Sequence, residues 1–139
     1  MTAANPVRYL DAADQMLRGA GPTGATAVSG GWWPKACACL IRLALEGGLQ
    51  DFWQRVSPQV AASANGRTKL LMLRRRTNRD TARRTSYAWA TLSRATHHHC
   101  YETAPTAAEL RRLHTEVTEL LDLLGDTTGL GETRRAVKT

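Results

Sequence analysis

Apolar positions along the chain recur at steps of three and four, and no stretch of useful length alternates with period two, which predicts helices and no sheet. Asn5-Pro6 is an N-cap followed by proline at the first helical position, and Val7, Leu10, Ala13, Met16 and Leu17 then predict a helix over 6–19. Residues 21–31, rich in Gly, Thr, Ala and Ser, carry neither periodicity nor charge and read as a flexible loop. Trp32-Trp33-Pro34 opens the longest apolar-periodic segment, a helix over 32–55. In it Ala36, Leu40, Leu43, Gly47 and Gln50 share one rotation, flanked by Cys39, Glu46, Leu49 and Trp53. Each glycine of Gly47-Gly48 costs such a helix about 1 kcal/mol relative to alanine, and close packing of another helix is the expected reason for the pair.

Ser57-Pro58 and Asn65-Gly66 break the pattern before a shorter helix over 66–76 that carries Leu70, Leu71 and Leu73. Asn78 or Asp80 can cap the next helix, 80–98, whose apolar positions are Ala82, Tyr87, Ala88, Trp89, Leu92 and Ala95. Thr106-Ala-Ala-Glu109 is a capping box, and Leu110, Leu113, Val117, Leu120, Leu121 and Leu124 give a helix over 107–124. Gly125 falls where a C′ glycine would end it, and residues 126–139 hold too little apolar surface to fold, so a disordered tail is expected. The expectation is an all-α fold, an up-and-down bundle of four to five helices over residues 1–125.

Charge changes this picture more than composition does. The 139 residues suit one domain with one core, and the formal net charge of +7 is concentrated, since residues 66–100 carry nine Arg/Lys against one acid. Such a segment points to a polyanionic partner, nucleic acid first and an acidic protein second, with Arg74, Arg75, Arg76, Arg79, Arg83 and Arg84 as the candidate contacts. Cys37, Cys39 and Cys100 are odd in number and unpatterned, which argues against a disulfide framework and for a reducing compartment. No run approaches eighteen apolar residues and no basic-then-apolar leader opens the chain, so a cytoplasmic protein without a membrane span is expected.

The chemistry-bearing stretch is Arg94-Ala-Thr-His97-His98-His99-Cys100-Tyr101. Histidine exchanges a proton near neutrality, and arginine is a permanent cation that matches phosphate oxygens. A ribonuclease working without metal needs a base for the 2′-hydroxyl, an acid for the leaving 5′-oxygen and a cation for the pentacoordinate phosphorane. On a continuous helix His98, at i+4, is the face-mate of Arg94, whereas His99 at i+5 is turned about 140° away, and a break near residue 98 ahead of Pro105 would bring His99 round. Zinc is the competing use of the run. His97 and Cys100 could chelate with His114 as a third ligand, but no fourth stands out, so neither metal nor cofactor is expected. His97 reads as a solvated helix-end residue, and Glu46 as an acid at the edge of the core that an arginine would pair.

Arg94, four residues, His99, one residue and Tyr101 resemble the R-x4-H-x-Y motif of HEPN-domain ribonucleases, the toxin half of HEPN/MNT toxin–antitoxin pairs. The resemblance covers roughly residues 6–124. It implies a HEPN-like bundle whose motif closes a late helix, with Arg94 and His99 catalytic, His98 the geometric alternative, and Glu46 a supporting acid on the second helix. It also implies metal-independent RNA cleavage by a homodimer in which both motifs face one cleft, and an MNT nucleotidyltransferase antitoxin that adenylylates Tyr101. His97 and His98 are extra to the motif. The alternative is a non-catalytic helical module that binds nucleic acid or a partner protein through its arginines.

Overall fold

A computed structural model of the chain describes residues 5–19, 33–97 and 105–137, with side chains up to residue 126. Among these residues there are six α-helices and no strand. They are α1 (Pro6–Gly19), α2 (Trp33–Val56), α3 (Pro58–Ser63), α4 (Gly66–Met72), α5 (Arg79–Thr96) and α6 (Ala107–Val137), with a 3-10 turn at Leu73–Arg75 between α4 and α5. The all-α bundle read from the sequence is the fold. Four helices carry it: α2 packs on α1, α5 and α6, and α6 closes on both α1 and α5.

Local capping explains where the helices begin. The Asn5 side chain accepts from the Val7 amide at 3.0 Å, Asn65 from Thr68 at 2.9 Å, and Asn78, rather than Asp80, from Thr81 at 2.7 Å. The capping box of α6 closes in both directions, Glu109 N–H to Thr106 Oγ1 at 3.1 Å and Thr106 N–H to Glu109 Oε2 at 2.9 Å. Between α2 and α4, Pro58 starts α3 where a missing N–H is harmless, so the expected break is itself a short helix. The helix expected over 66–76 is one α segment that tightens to 3-10 at Leu73, whose carbonyl takes the Thr77 hydroxyl at 2.8 Å.

Two readings of the pattern are corrected. The buried positions of α2 are Cys37, Ala38, Ile41, Ala44, Leu45, Gly48, Leu49, Phe52 and Trp53 together with Pro34, not the rotation of Ala36, Leu40, Leu43, Gly47 and Gln50. A helix with neighbours on several sides has no single apolar stripe, and a period count then picks its phase poorly. Tyr87 and Leu71, counted among the apolar positions, lie 69% and 71% exposed. In addition α6 does not stop at Gly125 but continues to Val137. A glycine within a helix costs only about 1 kcal/mol, too little to end it unless the next residues prefer another conformation.

The core joins Leu10 and Leu17 of α1, Ile41, Leu45, Phe52 and Trp53 of α2, Leu73, Leu92 of α5, and Leu110, Val117, Leu120 and Leu124 of α6. Burying each of these large side chains contributes about 1.5–3 kcal/mol. Gly48 permits the α2–α6 approach, since a Cβ there would run into the tip of Leu121. Gly48→Ala is expected to stay within about 1 kcal/mol of wild type, because a leucine tip can turn aside and alanine favours the helix. Gly48→Phe has no such escape and should lose about 2–3 kcal/mol, read as a lower urea midpoint.

α1 is tied to its neighbours by polar contacts as well. His114 places Nε2 2.9 Å from the Leu10 carbonyl, and Asp14 accepts from Arg18 at 2.8 Å and from Arg111 at 3.3 Å. The Cys37 thiol points at the Ala13 carbonyl across 3.8 Å. Burial pushes it up from 9.0 to about 11, with Arg111 pulling weakly the other way. The folded state therefore keeps this proton longer than the unfolded chain. That contribution is complete below pH 9 and disappears as pH rises through about 11. A thiol reagent at pH 7.5 should accordingly modify exposed Cys39 quickly and Cys37 only on unfolding, and stability measured from pH 9 to 11 should fall in wild type but less in Cys37→Ala.

Candidate functional site

α5 carries most of the candidate residues, and its two sides have different work. Its inner side is apolar or hydroxylated: Ala82, Thr85, Ala88, Leu92 and Thr96 are buried, and Thr85 satisfies its hydroxyl on the Thr81 carbonyl at 2.7 Å. On its outer side Arg79, Arg83, Tyr87, Ala90 and Arg94 are exposed. At about 100° per residue, Arg79, Arg83, Tyr87 and Arg94 fall within a stripe about 80° wide that runs the length of the helix.

Arg94 stands two residues before the last helical residue, Thr96, with His97 as the C-cap whose amide reaches the Ser93 and Arg94 carbonyls at 3.1 and 3.2 Å. Its guanidinium has no hydrogen bond or ion pair among the described residues. His98, His99, Cys100 and Tyr101 lie outside the described residues. Glu46 is engaged elsewhere, for its Oε1 accepts from Arg42 Nε at 2.9 Å, while Arg42 Nη1 donates to Thr96 Oγ1 at 3.0 Å. Thr96 and Arg94 are separated by about 200° of helix rotation, so the Glu46–Arg42 pair meets α5 on the side opposite Arg94.

The basic residues do not form one set. Arg74, Arg75, Arg76 and Arg79 are exposed, and Arg74, Arg79 and Arg83 border a cleft of about 440 Å3 with Leu70 and Leu71. Arg83 meets Asp80 at 3.3 Å, a solvent-exposed pair of small energetic weight. Arg84 differs. It takes Glu116 with two donors at 2.7 and 3.0 Å and Glu119 at 2.7 Å, and these hydrogen bonds, Glu116 first, raise its already high pKa. Being protonated folded or unfolded, it adds no pH dependence of its own near neutrality, and it serves as a clamp between α5 and α6. No sequence signal marked that role, because its carboxylates are 32 and 35 residues away.

Beside the clamp, α5 and α6 line an open groove of about 770 Å3 that runs from Arg83 past Tyr87, Thr91 and Ala95 to Pro105. Arg112 lies across it. A smaller cleft of about 470 Å3 holds Glu46, Tyr9, Lys69 and Trp89, with Lys69 already donating to Gln50 at 2.6 Å. The described residues contain no group of three or more His, Cys, Asp or Glu placed to hold a metal ion, and the His114 ring is spent on α1. Among them no helix is long and apolar enough to cross a membrane.

Fold and surface thus define an all-α bundle whose α5 presents a basic, solvent-facing stripe. Comparison with protein-family models, with curated proteins and with solved structures finds no match.

Proposed function

We propose that the protein is a metal-independent endoribonuclease of the HEPN type, the cytoplasmic toxin of a toxin–antitoxin pair. The observation that carries this reading is the position of Arg94. It is exposed and without a carboxylate partner among the described residues, at the end of a late helix, where R-x4-H-x-Y begins. In this reading Arg94 stabilises the phosphorane, His99 moves the proton with His98 as alternative, and a second copy of the chain supplies the other acid–base group in a shared cleft. An MNT nucleotidyltransferase would silence the enzyme by attaching AMP to Tyr101, which sets negative charge beside the arginine. Incubation of the purified protein with RNA in EDTA tests the activity: cleavage is expected, and intact RNA at high enzyme excess would refute it.

A second reading, a binding module without turnover, is favoured by one observation. Glu46 is held by Arg42, which reaches α5 at Thr96 on the side away from Arg94, and a binding module needs no supporting acid beside that arginine. Arg74, Arg75, Arg76 and Arg79 would then provide affinity, falling steeply as salt rises if the partner is a nucleic acid.

A further inference from the structure

We infer that the outer stripe of α5 is a track for single-stranded RNA, with Tyr87 as the platform on which one nucleobase stacks. This rests on the ribonuclease reading for its purpose, and on the geometry of α5 for its location. Tyr87 is a large aromatic side chain left 69% exposed on a helix whose other large apolar residues face inward or lie partly covered. Arg83 stands one turn before it and Arg94 two turns after it, both within about 40° of its direction. Between Tyr87 and Arg94 the stripe holds only the small side chains of exposed Ala90 and half-buried Thr91, whose hydroxyl is turned back to the Tyr87 carbonyl at 2.9 Å. Arg79 and Arg94 stand about 22 Å apart along the helix axis, and Tyr87 stands about 10 Å from Arg94, within reach of a base adjoining the phosphate held there.

The charges around the ring suit a polyanion. Asp80 is the one acid among residues 66–100, and it is committed only to an exposed contact with Arg83. Across the groove Glu116 is paired with Arg84, while Glu109, hydrogen-bonded to the Thr106 amide, keeps its charge and the Arg112 cation offsets it. Cations spaced along a strand path with an interleaved aromatic are how proteins hold unpaired nucleotides, because every base has a face to stack and the phosphates need only positive charge. A duplex keeps its bases stacked internally and cannot use the ring. The track therefore selects single strands.

The test is binding of a fluorescent single-stranded RNA and of its duplex at two salt concentrations, with cleavage followed separately in EDTA. Tyr87→Ala should weaken the single strand roughly 5- to 100-fold, Tyr87→Phe should bind within about 2-fold of wild type, and the duplex should respond little to either. Arg83→Ala should reduce the salt slope by about 0.7, whereas Tyr87→Ala should leave the slope unchanged. Equal binding of the single strand by wild type and Tyr87→Ala overturns the proposal. So does a preference for the duplex, a preference for a partner protein over RNA, or a loss of affinity that sedimentation traces to a changed oligomeric state. Tyrosine-dependent binding without cleavage would leave the track standing and refute the ribonuclease; cleavage indifferent to Tyr87 would do the reverse.

Discussion

Arg94→Ala should lower the rate of RNA cleavage by about 100- to 1,000-fold while leaving the fold within about 0.5 kcal/mol of wild type. The first figure is the ordinary consequence of removing one preorganised donor from a site where negative charge develops. The second follows from the surroundings, because Arg94 is exposed and its side chain has no partner among the described residues to leave behind. The two numbers together separate chemistry from structure. A clamp residue such as Arg84 should behave the opposite way, since its loss strands two carboxylates of α6. Single-turnover rates beside urea melts of each variant check both halves.

Trp53→Ala carries the largest expected cost to the fold, about 3–5 kcal/mol, a substantial share of the stability of a small domain. Trp53 is fully buried in α2, the helix on which α1, α5 and α6 all lean, and its ring meets Phe52 edge to face with centroids 5.2 Å apart at 81°. Removing it opens a cavity at the centre of the bundle and forfeits the aromatic pair. Yet the indole Nε1 finds no hydrogen-bond partner among the described residues, a cost that offsets part of what the ring contributes. Trp53→Phe removes that donor with much of the apolar bulk retained. Its cost should be no more than about half that of the alanine variant, and denaturant midpoints of the two, compared at equal slope, check the difference.

What could be read from the sequence was set by how local each cause is. Asn5, Asn65, Asn78 and the Thr106–Glu109 box act on amides two or three residues away, and the helix starts they mark are those of the structure. Close packing at Gly47-Gly48 was also legible from the cost of two glycines in mid-helix, and a Cβ would press on Pro6 at the first and on Leu121 at the second. The phase of α2 was not, because a central helix is apolar on several sides. Neither was the clamp of Arg84, whose carboxylates come from another helix, nor the exposure of Tyr87, an aromatic spaced as a core residue that the bundle leaves on its surface. Glu46 was expected to find an arginine at the edge of the core, and it finds Arg42, four residues earlier on the same helix. That pair in turn reaches Thr96, so a contact local to α2 also fixes the end of α5 just before the histidines.

Arg94 and His99, the first two residues of R-x4-H-x-Y, are proposed to cleave RNA together. Product ends report this most directly. Purified protein and RNA in EDTA should give 2′,3′-cyclic phosphate termini, formed as the 2′-oxygen attacks phosphorus and the 5′-oxygen leaves, and Arg94→Ala and His99→Ala should each slow their formation by at least about 100-fold. Cyclic termini still produced at wild-type rate by both variants would contradict it.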